Sequence, residues 1–167
     1  MDITTERLVL HAIDRDAAAR IVAGEPSVAD LWHPDYPFAD ELDPLRVLAS
    51  ADPASVHPVF TLYQVLRRSD GLAVGGIGFF GAPDSDGVAE IGYGLVAAAR
   101  GSGLATEALR AASVVAFAHG ARAIIADTHP ENRASQRVLE KAGFTETHRD
   151  AQAVHYRLEP GSAKRVV

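Results

Sequence analysis

The 167-residue chain has no cysteine. That excludes disulfides, thiolate zinc sites and a cysteine nucleophile, and leaves the compartment unmarked by redox logic. Long apolar runs are missing too, and the N-terminus, MDITTERLVL, has neither the basic start nor the apolar core of a signal peptide. A cytoplasmic protein without membrane contact is expected. Positive charge is scarce: 16 Lys and Arg stand against 22 Asp and Glu, a formal charge of −6. Nucleic-acid binding is therefore disfavoured, since a basic face supplies most of that affinity. No G-x-x-x-x-G-K-[ST] run exists, and none of the seven histidines stands at a spacing of the H-E-x-x-H type. A nucleotide-hydrolysing P-loop and a metal site are not expected.

What is present is ordinary globular composition, 47% hydrophobic and 23% charged, over a length that suits one domain spanning residues 1–167. The tail from about residue 160 is expected to fray. Glu6 to Ile13 reads as a strand, and Asp14 or Asp16 caps a helix through about Ala23. Six of the nine prolines lie from Pro26 to Pro58, so helices there are short. Within that interval, the stretch from Asp30 to Asp43 carries Asp30, Asp35, Asp40, Glu41 and Asp43 and no Lys or Arg, interleaved with Trp32, Tyr36 and Phe38. The segment suits the entrance for an amine, with Trp32 and Tyr36 as candidate substrate contacts. The plain alternative is that its acids are solvated while Trp32 and Phe38 pack on a sheet. Apolar runs at Val59 to Arg67 and Leu72 to Phe80, then Val88 onward, are separated by turns and predict an antiparallel meander. Gly76, Gly78 and Gly81 match G-x-G-x-x-G, but inside an apolar strand rather than opening a helix, so close backbone packing explains them.

The most informative stretch is Glu90 to Ala108, EIGYGLVAAARGSGLATEA. Val88 to Val96 reads as a strand, with Gly92 and Gly94 predicting a bulge. From Gly103 the periodicity turns helical until Gly120, a C-terminal stop. Arg100-Gly101-Ser102-Gly103 lies between them. Such a turn aims unpaired N–H groups and the helix dipole at whatever sits above, and the arginine adds a full charge. A pyrophosphate fits this pattern; a simple tight turn is the other reading. Residues 121–128 form a further strand, so strand, helix and strand imply a parallel pair with a right-handed crossover. A second helix runs from Asn132 to Ala142, with Asn132 as N-cap and Ser135 at the third position. Phe144 to Arg149 then pairs with Gln152 to Leu158.

Arg100-Gly101-Ser102-Gly103-Leu104-Ala105 resembles the R/Q-x-x-G-x-G/A signature of the GNAT superfamily of acetyl-coenzyme A-dependent N-acetyltransferases. EIGYGL followed by GLATEA, Asn132 to Ser135, and Glu140-Lys141-Ala142-Gly143-Phe144 are similar to the branch that acetylates ribosomal-protein N-termini. The resemblance implies an α/β (α+β) fold. Its mixed sheet has six to seven strands, with an antiparallel N-terminal meander and a splayed parallel pair joined by a crossover helix. It also implies acetyl transfer from acetyl-coenzyme A to a primary amine in a ternary complex. Arg100, Gly101, Ser102, Gly103, Leu104, Ala105 and Thr106 would hold the pyrophosphate, while the amides of Leu95 and Val96 align the pantetheine and thioester. Asn132 would bond the pantetheine arm and Ser135 would lie near the sulfur. Glu90 is the implied base, provided partial burial raises its pKa; the alternative is a structural edge carboxylate. Relatives carry a tyrosine acid where this chain has Leu139, leaving Ser135, Tyr156 or water. His33 and His129, in loops, are weaker base candidates. The missing tyrosine lends weight to a second class, a catalytically degenerate acyl-coenzyme A-binding regulatory module. A homodimer stays open.

Overall fold

In the computed structural model, which describes residues 1–162, the chain opens with a short antiparallel pair, β1 (Ile3–Thr4) and β2 (Leu8–Ala12). A two-residue strand has no readable periodicity, which is why β1 escapes sequence reasoning. The Asp14 carboxylate accepts from Ala17 N at 2.7 Å and starts α1 (Arg15–Ala23). Gly24, at φ 70°, ends it. The proline-rich interval contains one α-helix, α2 (Leu42–Ser50), which buries Leu45 and Leu48. Strands β3 (Leu62–Arg67), β4 (Ala73–Phe79) and β5 (Val88–Leu95) form the expected meander. They are followed by α3 (Leu104–Ala118), β6 (Ala123–Thr128), α4 (Arg133–Ala142), β7 (Thr145–Arg149) and β8 (Val154–Leu158).

The sheet order is β1-β2-β3-β4-β5-β6-β8-β7, eight strands rather than six or seven. Every neighbouring pair is antiparallel except β5 and β6. Small residues Ala108, Ala112 and Ala116, with Leu104 and Leu109, make the buried face of α3. Truncating Leu109, fully buried, would leave a cavity costing about 2–5 kcal/mol. Gly75 in β4 is required by close approach, because a Cβ there would lie 2.1 Å from the Gly94 carbonyl oxygen. None of the described helices is long and apolar enough to cross a membrane. Beyond Ser162, the tail expected to fray lies outside the described residues.

The feature that positions the site is the junction of β5 and β6. Their parallel pairing lasts only from Val88↔Ala123 to Glu90↔Ile125, whereas β5 stays on β4 as far as Leu95. The strands therefore part beyond Glu90. The bulge expected at Gly92 and Gly94 is absent: the β4–β5 register runs unbroken, and the sheet's register shifts fall at Val65/Leu66 and Glu146/His148. Strand β5 does not bend away from its neighbour on the β4 side; the separation is from β6.

Candidate active site

The turn before α3 has the conformation its glycines permit. Gly101 and Gly103 both sit at φ 83°, a left-handed geometry that costs a side chain with a Cβ about 1 kcal/mol or more. Gly103 is the helix N-cap and offers no side-chain cap. Among the described residues nothing accepts from the backbone N–H groups of Gly101 through Thr106; the next, Glu107 N, already donates to Gly103 O at 3.0 Å. Six consecutive donors are left at the positive end of a fifteen-residue helix, an arrangement suited to an anion.

Neighbouring groups hold this turn. Arg7 Nη1 donates to Ser102 O at 2.8 Å and Arg7 Nε to Glu107 Oε2 at 2.6 Å. Thr5 Oγ1 donates to Glu107 Oε1 at 2.6 Å. Burial pushes the Glu107 carboxyl up, but the Thr5 and Arg7 hydrogen bonds outweigh it and leave the pKa below the ordinary value. Glu107 thus does more than complement the helix dipole, the only role its position suggests. Arg100 folds back so that its Nε donates to Leu95 O at 2.8 Å. Its two terminal nitrogens bond no described residue.

Strand alternation assigns the amides of β5. Val96 N donates to Val74 O at 2.9 Å, and Phe80 N to Glu90 O at 3.1 Å, so even-numbered residues bond toward β4. Tyr93 and Leu95 then turn their N–H groups into the splay. The Leu95 N–H group is free to meet an extended chain lying there. The Val96 N–H group, expected to do the same, is committed to the sheet instead.

Tyr93 also supplies a hydroxyl that sequence reasoning missed. Its OH lies 2.8 Å from Ser135 Oγ and 3.2 Å from Ser135 O, bridging the splay to α4. Burial pushes the phenol up to about 12, so it stays protonated at neutral pH. Asn132 is the N-cap, its Oδ1 accepting from Ser135 N at 3.0 Å. Leu139 is fully buried in the core and Tyr156 donates to Glu140 at 3.4 Å, so the Tyr93–Ser135 pair is the hydroxyl couple at the opening. The only advance signal was Tyr93's place between two glycines.

Beside the splay, on the opposite side of β5 from its buried residues, lies a cavity of about 450 Å³. Phe38, Glu41, Phe80, Gly92, Gly94 and Asp127 are among its walls. Glu90 is exposed and does not line it, so the partial burial expected of that carboxylate is not realised. Trp32 and Tyr36 do not line it either. Trp32 bridges to Ala73 and packs edge-on against Tyr36, and buried Tyr36 donates its hydroxyl to the cavity-lining Glu41, at Oε1, over 3.4 Å. Of the three aromatic residues Trp32, Tyr36 and Phe38, it is Phe38 whose ring lines the cavity, beside Tyr63, Phe80 and Tyr93. His33 and His129 spend Nδ1 on the amides of Asp35 and Glu131.

Residues 7–145 match the family described as "Acetyltransferase (GNAT) domain". The chain belongs to the GNAT acetyltransferase family. It is 32% identical over 98 residues to an uncharacterized N-acetyltransferase, YjdG, of Bacillus subtilis, a match covering 58% of each chain. Thus it spans a little over half the length of that curated relative. Solved GNAT structures share the fold nearly end to end. The ribosomal-protein-S5-alanine acetyltransferase of Vibrio fischeri has a TM-score of 0.69 at 14% identity, covering 99% of this chain and 100% of that one. RimJ of Mycobacterium smegmatis, in complex with CoA-disulfide, has a TM-score of 0.64 at 21% identity, covering 95% and 84%.

Proposed function

We propose that this GNAT protein transfers an acetyl group from acetyl-coenzyme A to a primary amine by direct attack in a ternary complex. The observation that carries the reading is one juxtaposition: the six unpaired donors at the start of α3 open onto the splay that presents the Tyr93 and Leu95 amides and the Tyr93–Ser135 hydroxyls. The donors from Gly101 to Thr106, with Arg100, seat the diphosphate. The pantetheine arm lies along β5, and the Leu95 amide stabilises charge developing on the thioester oxygen. Asn132 flanks the arm at the mouth of α4. The Ser135 hydroxyl, backed by Tyr93, protonates the departing thiolate, a role that the leucine at 139 does not fill. No covalent enzyme intermediate is needed, since amine and thioester are held side by side.

The acceptor is a protein or peptide N-terminus. Likeness in fold to the ribosomal-protein-S5-alanine acetyltransferase of Vibrio fischeri supports that choice, as does the cavity, where Asp40, Glu41 and Asp127 stand with no lysine or arginine. The carboxylate of a free amino acid would meet the like charge of Asp40 and Asp127 there and no cation. The test is amine-dependent thiol release from acetyl-coenzyme A across peptides with different first residues, polyamines and free amino acids. Release with peptides and little with amino acids is expected; coenzyme A binding without release by any amine would refute catalysis.

A further inference from the structure

Among the described residues, Glu41 Oε2 is the only carboxylate oxygen cut off from solvent with no hydrogen-bond partner. The other oxygen, Oε1, accepts from Tyr36 and lies over Gly76 of β4, where an added Cβ would come within 1.9 Å of it. Gly76 pairs with Gly94 and Gly78 with Gly92. Residues two apart and residues directly paired share a sheet face, so these four glycines make one floor free of side chains. Phe38 covers Gly94, Phe80 covers Gly92, and Glu41 covers Gly76. Gly94 sits between Tyr93 and Leu95, whose amides face the splay. A carboxylate is therefore held across the strand from the residues that would align a thioester.

We propose that Glu41 seats the acceptor's ammonium on this glycine floor and takes its proton, an inference that rests on the acetyl-transfer reading above. An ammonium must lose a proton before its nitrogen carries a free lone pair. Glu41 takes that proton and becomes the carboxylic acid. The nitrogen attacks the thioester carbonyl and forms the C–N bond; the C–S bond then breaks. The second proton lost from nitrogen passes through Ser135 Oγ, backed by the Tyr93 hydroxyl, to the thiolate. Glu41 returns its proton to solvent, so each turnover yields one amide, one thiol and one proton.

The titratable groups around Glu41 are Tyr36 and Asp40 on its own segment, Tyr63 on β3, Tyr93 on β5 and Asp127 on β6. Burial pushes the Glu41 carboxyl up to about 8, against a smaller lowering by Tyr36. Tyr36, raised further by burial and by Glu41 itself, remains a donor. A base of this strength is matched to an ammonium near neutral pH. Glu90, exposed and at the last paired rung with β6, has no such setting.

The test uses the full chain with acetyl-coenzyme A and a peptide N-terminus as acceptor, following thiol release against pH. Glu41→Gln and Gly76→Ala, which displaces the carboxylate tip, should each lower kcat/KM for the amine at least ~50-fold. Coenzyme A affinity should stay within about twofold, and the acidic limb of the profile should disappear, with partial recovery toward the amine's own pKa. Retention of that limb in Glu41→Gln, or its loss in Glu90→Gln instead, would overturn the assignment. A readout without catalysis separates this inference from the functional one. In 13C-carboxyl NMR of glutamate-labelled protein, the signal absent from Glu41→Gln should titrate lower when 2-phenylethylamine is added. An unchanged titration would overturn the inference even if thiol release occurs, and a shift would sustain it even if none does.

Discussion

Replacing Glu41 with glutamine should stabilise the fold, by an amount that grows with pH. The native carboxyl titrates at about 8 against an ordinary glutamate value of 4.5. Between those values the folded protein holds a proton that the unfolded chain has released. Unfolding then releases a proton, and stability falls as pH rises through that window. At ~1.4 kcal/mol per pH unit, the interval sets a ceiling near ~5 kcal/mol. Glu41 is half-buried and faces a cavity, so screening reduces this to about 2–4 kcal/mol. Glutamine never ionises and escapes the whole cost. Urea unfolding of both proteins should therefore give free energies close together at about pH 5 and separated by ~2–4 kcal/mol at about pH 9, with glutamine the more stable. Parallel curves across that range would show that the carboxylate is not desolvated in the folded state. The same cavity position then could not poise it as a base.

Five further outcomes follow from the geometry. Gly75→Ala drives a Cβ to 2.1 Å from the Gly94 carbonyl and should cost about 3 kcal/mol or more in thermal or urea unfolding. Gly76→Ala meets only the flexible tip of Glu41 and should cost under about 1 kcal/mol. Tyr93→Phe removes the partner of Ser135 Oγ and should lower kcat roughly 10- to 100-fold with the KM for acetyl-coenzyme A little changed, read in steady-state thiol release. Arg100→Ala combined with Gly103→Val should weaken coenzyme A binding by about 2–4 kcal/mol in calorimetry, through lost charge and a strained turn. Glu107, held below 4.5 by Thr5 and Arg7 despite its burial, contributes stability present above 4.5 and lost as pH falls through its lower folded value. Glu107→Gln should flatten that acid loss in a pH series of melts.

The chain's order alone determined the parts whose hydrogen bonding is settled between near neighbours. Asp14 and Asn132 cap the helices they precede, and Gly24 and Gly143 end them in left-handed geometry. Arg100 to Gly103 turns a strand into a helix with its first donors unpaired. Each depends on residues within one turn of each other, so residue type and spacing suffice. The meander was legible for the same reason, since short turns join its strands. Tertiary structure decided which chemistry meets at the splay. Tyr93 reaches Ser135 across 42 positions of sequence, and Glu41 reaches Gly76 from a proline-rich segment whose acids look alike on paper. Burial separates them: Glu41 loses its water against a glycine floor, while Glu90, in the more suggestive motif, keeps its own. Desolvation is a property of the packed surroundings, and no local pattern encodes it.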